Sequence, residues 1–102
     1  MDERQPSTSV RNYIKFVKKS FPNVRTIYIF GSYVKGSAHV DSDIDIAVIF
    51  DDIKDSFELQ VELMKIRRKY DSRIEPHVFR ATDFNSSHPL AQEIISTGVE
   101  IQ

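Results

Sequence analysis

Two short strings in this chain have the residue types and spacing of phosphate chemistry. They are Phe30-Gly31-Ser32 and, after ten intervening residues, Asp43-Ile44-Asp45. A glycine directly after an apolar run lets the backbone approach a ligand closely. The Ser32 hydroxyl and the amides that follow can hold a phosphate, as amides in turns and at helix starts do. Lys35, beside Gly36, can neutralise charge on the same group. Asp43 and Asp45 are two apart, so on an extended backbone they emerge on one face with Cα atoms about 6.6–6.8 Å apart. Two carboxylates that close repel each other unless a cation lies between them. Hard oxygen donors of this kind select magnesium or manganese over zinc. A phosphate cradle beside carboxylate-bound metal is the machinery of phosphoryl or nucleotidyl transfer. Taken singly, a Gly-Ser after a strand is a turn and an Asp-x-Asp is a solvated loop. It is their joint spacing between two apolar runs that points to a site.

The surrounding elements must bring these strings together. Val10, Tyr13, Ile14, Val17 and Phe21 recur at helical spacing, with Ser7, Thr8 and Ser9 as candidate caps. Val24 to Phe30 is rich in β-branched and aromatic residues and predicts a strand. Gly31 to Ser42 predicts a loop with one helical turn, and Asp43 to Phe50 a second strand. Asp55 or Ser56 caps a long helix with Leu59, Leu63, Ile66 and Tyr70 on one stripe and Phe57, Val61 and Met64 beside it. Arg73 to Arg80 is a third strand. Pro89 opens a last helix whose Leu90, Ala91, Ile94 and Ile95 face inward, Gly98 stops it, and Val99 to Ile101 adds a short edge strand. The phenylalanines are assigned to the core.

A third carboxylate would complete a two-metal site, and Glu75 is the candidate because it lies near the start of the third strand. The helix between the second and third strands favours a parallel crossover, which sets their starts side by side. Gly31-Ser32, at the end of the first strand, faces Asp43 only if the first two strands are antiparallel. The expected fold is therefore α/β (α+β): a small mixed sheet of three to four strands with helices. His77 shares the parity of Glu75, which leaves a place near the metals open, but it is assigned first to surface or sheet packing. His39 and His88 are assigned to loops, and Arg67-Arg68-Lys69 to the wet face of a helix.

Composition removes other classes. The 102 residues, 40% of them hydrophobic and 28% charged, fit one globular domain spanning residues 1–102, with residues 1–8 expected to be flexible. There is no cysteine, which excludes disulfides, thiolate metal sites and cysteine nucleophiles. No apolar run reaches the length of a membrane span or resembles a signal peptide, so a cytoplasmic protein is expected. Fourteen basic against fifteen acidic side chains leave a net charge of −1, with no general attraction to nucleic acid.

The glycine–serine turn and paired aspartates resemble the signature of the DNA polymerase β-type nucleotidyltransferase superfamily. The chain as a whole is most similar to its minimal nucleotidyltransferase (MNT) domains, and Lys35-Gly36, Ser42 and Arg73-Ile74-Glu75-Pro76-His77 fit the same pattern. The resemblance implies that Asp43, Asp45 and Glu75 are catalytic and bind two Mg2+ ions, with Mn2+ an alternative. Gly31, Ser32 and Lys35 would hold the nucleotide phosphates. It also implies transfer of AMP from ATP to a hydroxyl, as in antitoxins that adenylylate a tyrosine of an all-helical HEPN ribonuclease toxin. Glutamate at position 75 departs from the aspartate more usual in the superfamily. Two rivals stand beside this reading. One is a non-catalytic subunit that neutralises its partner by contact alone, and the other is an enzyme with a small-molecule or RNA acceptor. A homodimer and a hetero-complex are both open, since short edge strands leave pairing surface exposed.

Overall fold

In the computed structural model, which describes residues 7–36 and 42–101, Ser7 opens the first helix, α1 (Thr8–Ser20). Its Oγ accepts the Val10 N–H at 3.3 Å, an N-cap that satisfies one of the helix's unpaired amides. Of the N-terminal stretch expected to be flexible, residues 1–6 lie outside the described residues, while Ser7 and Thr8 are the cap and first residue of α1. The next elements are β1 (Val24–Phe30), the single-turn helix α2 (Ser32–Lys35) and β2 (Ile44–Phe50). They are followed by α3 (Ser56–Ile66), β3 (Ile74–Arg80), α4 (Pro89–Thr97) and β4 (Val99–Ile101). Among the described residues no helix is long and apolar enough to cross a membrane.

The four strands form one mixed sheet in the order β3-β2-β1-β4. β1 is antiparallel to β2 and β4, and β2 is parallel to β3, as the proposed convergence of the two strings required. Side-chain alternation along β2 divides the core. Ile44, Ile46, Val48 and Phe50 join Ile27, Ile29 and Ile74 under α1 and α3. Ala47 and Ile49 join Phe30, Phe79, Ala91 and Ile94 on the opposite face, under α4. Asp45 has the parity of Ala47 and Ile49, so it belongs to the α4 face. Each buried Ile, Val or Phe on these faces contributes on the order of 1.5–3 kcal/mol, which fixes the register: a slip of one residue would bury Asp45 and expose its neighbours.

Hydrogen bonds tie the helices to this frame. The Tyr13 hydroxyl donates to the Leu63 carbonyl at 3.0 Å, joining α1 to α3 in a fully buried setting. Burial pushes the Tyr13 hydroxyl pKa well above its ordinary value, against a smaller opposing influence of the Arg67 charge. Asp55 caps α3 by accepting the Glu58 N–H at 3.0 Å. Gly98 ends α4 for a reason of space: a Cβ there would lie 2.6 Å from the Ile94 carbonyl oxygen and 3.3 Å from that of Ile29.

Four expectations are corrected. The α3 helix stops at Ile66 and tightens into a 3-10 turn over Arg67–Lys69, so Tyr70 leaves the helical stripe. It packs instead with its ring centroid 6.0 Å from that of Tyr13 and 6.0 Å from that of Phe16. Phe57 is 75% exposed and Phe16 39% exposed, so neither is a core residue. Ile95 is 46% exposed, because α4 lays only Ala91 and Ile94 fully onto the sheet. His88 is no plain loop residue: its Nδ1 accepts the Ala91 N–H at 3.3 Å as the cap of α4, and its ring meets Phe79 edge-on.

The turn into β3 is fastened by Asp71. Its Oδ1 accepts the Arg73 backbone N–H at 3.0 Å and Nε at 3.1 Å, and its Oδ2 accepts Nη2 at 2.8 Å. The side-chain hydrogen bonds from Arg73 hold the Asp71 carboxyl below its ordinary pKa. A lowered folded-state pKa gives stability that is present above the unfolded carboxylate pKa, about 4, and lost as pH falls through the lower folded value. Asp71→Asn should therefore destabilise the protein by about 1 kcal/mol at pH 7, the Arg73 side chain being partly solvated. Urea unfolding across pH should show the gap between wild type and variant closing below about pH 4.

Candidate active site

The β1–β2 ladder makes the site. Phe30, the last residue of β1, is the register partner of Asp45 near the start of β2. The chain leaves β1 through Gly31 with φ of 81° and ψ of −153°, a conformation that side-chain-bearing residues rarely adopt. This turn lays the Gly31 backbone against the Asp45 carboxylate. A Cβ on Gly31 would stand 2.5 Å from Asp45 Oδ2. The position is thus closed to other residues twice over, by dihedral angle and by contact. Ser32 then starts α2, whose turn closes with the Val34 N–H donating to the Gly31 carbonyl at 3.2 Å. Gly36 ends α2 in the left-handed region with φ of 77°. Lys35 is the last residue of α2; its side chain, like residues 37–41, lies outside the described residues.

Asp43 sits one residue ahead of β2, exposed, rather than inside the strand as expected. The ladder begins at the Ile44 N–H, which donates to the Arg73 carbonyl at 2.8 Å. Asp45 is half-buried, with 27% of its side chain exposed. Glu75 on β3 is its parallel register partner, as the proposed crossover requires. Its Oε2 is already engaged: Arg67 Nη1 donates to it at 3.2 Å and to the Ile74 carbonyl at 2.8 Å. The tight turn after α3 is what swings Arg67 across the β3 edge to make this pair. Sequence reasoning placed Arg67 on a wet helix face and missed it.

His77 follows the lesser of its two expectations, a place beside the acids rather than in plain sheet packing. Its Nε2 lies 3.1 Å from Asp45 Oδ1. An ionised carboxylate only accepts hydrogen bonds, so the imidazole donates. Its ring rests on Phe30 with centroids 5.2 Å apart. The signal available in the sequence was its shared parity with Glu75, which puts it on the Asp45 side of the sheet.

Among the described residues no three His, Asp or Glu side chains stand together as a ready metal cluster. The donor chemistry nevertheless fits a hard divalent cation. Asp43 and Asp45 bracket Ile44 at the mouth of the sheet, and the missing Gly31 side chain keeps space open beside Asp45 Oδ2. A separate cavity of about 490 Å3 opens at the other end of the sheet, lined by Phe21, Asn23, Ile53, Leu59 and the charged Asp52, Lys54, Asp55, Glu58 and Glu62. Four carboxylates against one lysine make it a poor home for a polyphosphate.

A mixed sheet with a glycine-led turn against an acid-bearing strand defines the nucleotidyltransferase fold class. The polymerase beta nucleotidyltransferase family model matches residues 12–102, and the chain belongs to that family. It is 32% identical over 88 residues to the protein adenylyltransferase MntA of Shewanella oneidensis, covering 86% of this chain and 60% of MntA. The chain therefore spans about three-fifths of the length of that curated relative. A solved toxin–antitoxin structure with AMP-PNP superimposes with a TM-score of 0.68 at 29% identity, over 92% of this chain and 72% of the other. A complex of tri-AMPylated Shewanella oneidensis HEPN toxin with MNT antitoxin gives a TM-score of 0.57 at 27% identity, over 91% and 71%.

Gly31→Ala should cost about 3 kcal/mol or more in urea unfolding, from backbone strain at a dihedral pair that only glycine adopts freely together with the Asp45 contact. In an Asp45→Ala background the contact part should vanish, leaving about 1–3 kcal/mol of strain. Equal costs in both backgrounds would mean that Gly31 does not pack on Asp45.

Proposed function

We propose that this protein transfers AMP from ATP to a hydroxyl of a partner protein, a tyrosine of a HEPN-type toxin, and so acts as an antitoxin. The observation that carries the reading is the contact of the Gly31 turn with Asp45, which sets a glycine-led turn of the kind that can cradle a phosphate against an acid at one end of the sheet. Family membership and the likeness to MntA and to MNT–HEPN complexes support the acceptor.

In the reaction an acceptor hydroxyl oxygen forms a bond to the α-phosphorus. The bond from that phosphorus to the bridging α–β oxygen breaks, and pyrophosphate leaves with the electron pair. The hydroxyl proton goes to a carboxylate of the site, for which Glu75 is the candidate. Gly31 and Ser32 hold the outer phosphates by backbone and hydroxyl, and Lys35 balances their charge. Asp43 and Asp45, with Glu75 as third carboxylate, would hold divalent magnesium or manganese. Bound there, the metal would supply charge stabilisation to the attacking and leaving oxygens. Arg67, 3.2 Å from Glu75 Oε2, steadies that carboxylate at its register position opposite Asp45.

The test is incubation with a purified HEPN-type partner, ATP and Mg2+, read by mass spectrometry of the partner. Gain of one or more AMP units on a tyrosine is expected. AMP on RNA or on a metabolite, with none on the protein, would replace the acceptor assignment. ATP binding with no transfer to any acceptor would favour the contact-only subunit. Asp43→Asn with Asp45→Asn should lower transfer on the order of 10³-fold or more. It should leave unfolding at or above wild-type stability, because two neighbouring carboxylates with no cation between them repel.

A further inference from the structure

We propose that His77 is a positioning residue that holds Asp45 in its metal-binding orientation; this rests on the nucleotidyltransferase reading above. Two contacts hold the Asp45 carboxylate, one on each oxygen, and the sheet holds its backbone. Oδ1 accepts His77 Nε2 at 3.1 Å. Oδ2 lies against the Gly31 backbone, so closely that a Cβ there would come within 2.5 Å. The strand itself holds the Asp45 backbone between Phe30 on β1 and Glu75 on β3. His77 is in turn seated by the Phe30 ring at 5.2 Å, and its own register partner is Ala47. Alanine at position 47 leaves the imidazole room to lean diagonally over β2 toward Asp45, where a larger residue would fill that space. Phe30 therefore serves twice, as the ladder partner of Asp45 and as the platform of the group that orients it.

A carboxylate that binds a cation through one oxygen is more effective when its other oxygen is hydrogen-bonded and its rotamer is fixed, because less freedom is lost on binding. Asp45 has this arrangement, with Oδ1 committed to His77 and Oδ2 directed to the Gly31 side, where the phosphates would lie. Glu75 is arranged in parallel, with one oxygen held by Arg67. Each acid of the strands thus has its own donor, drawn from an element outside β2. A glutamine at position 77 can place its Nε2 at a reach similar to that of the imidazole. A leucine keeps apolar contact with Phe30 but has no donor. The two substitutions separate orientation of Asp45 from packing.

The experiment compares wild type, His77→Leu, His77→Gln, Asp45→Asn and the double variant His77→Leu/Asp45→Asn in the full chain. Mn2+ binding is measured by electron paramagnetic resonance with a non-hydrolysable ATP analogue present, AMP transfer is measured as a function of metal concentration, and unfolding is followed in urea. His77→Leu should weaken Mn2+ binding about 10–100-fold, as loss of a ligand-orienting partner does elsewhere. It should raise the metal concentration for half-maximal transfer by the same factor, while the maximal rate recovers at excess metal. His77→Gln should recover most of the affinity. Adding His77→Leu to Asp45→Asn should change metal affinity little, since the two act as one unit. Unchanged Mn2+ affinity in His77→Leu, or equal losses in the Leu and Gln variants, would overturn the role. If wild type itself binds no Mn2+ with the nucleotide analogue, the nucleotidyltransferase reading fails instead, which is a separate outcome.

Discussion

The pairing of the end of β1 with the start of β2 places a glycine turn directly on an acid, and the site depends on that approach. Phe30 and Asp45 are ladder partners, and Gly31, the residue that follows β1, packs against the Asp45 carboxylate. Only a residue without a Cβ can make this approach at φ of 81°. The antiparallel direction of the ladder is equally necessary. Had β1 run parallel to β2, the Gly31–Ser32 turn would lie at the opposite end of the sheet, beside the acidic cavity. The interaction is thus short-ranged in space but is fixed by the register of two strands whose apolar residues have only one buried arrangement.

The rest of the molecule secures that register. β2 is a central strand, covered on one face by α1 and α3 and on the other by α4, and its residues from Ile46 to Phe50 are all buried. The outer strand β3 is protected from pairing with other chains. Pro76 has no N–H to offer, the Gln60 side chain donates to the Pro76 carbonyl at 2.6 Å and accepts the Val78 N–H at 3.1 Å, and Arg67 takes the Ile74 carbonyl. Charge is also sorted along the sheet. Asp51, Asp52, Asp55, Glu58 and Glu62 gather where β2 ends and α3 begins, while Lys65, Arg67, Arg68, Lys69 and Arg73 gather where α3 ends and β3 begins. The order complements the dipole of α3.

Much of this was legible in the sequence because it rests on periodicity and on local chemistry. The β-branched and aromatic residues of Val24–Phe30 and the apolar run to Phe50 reveal two strands, and the position of Gly31 between them reveals the turn. The crossover helix then sets β3 parallel and brings Glu75 beside Asp45. What escaped depends on reach across the fold. His77 leans diagonally over Ala47 to Asp45, a direction that parity alone does not give. Arg67 meets Glu75 only because α3 tightens at Ile66, and no cap residue marks that change. The exposure of Phe57 was hidden for a different reason. It sits in the first turn of α3, where helical spacing marks a second apolar stripe, but only Leu63 of that helix is fully buried.

The central claim is that Asp43, Asp45 and the Gly31–Ser32 turn together clasp a metal-bound triphosphate. Crystals grown with Mn2+ and a non-hydrolysable ATP analogue, with data collected at the manganese absorption edge, test it directly. The required result is an anomalous peak between the Asp43 and Asp45 carboxylates, with the β- and γ-phosphates against the backbone of Gly31 and Ser32. Manganese or nucleotide bound elsewhere, such as in the acidic cavity by Asp52 and Glu62, with those two carboxylates left without metal, would contradict it.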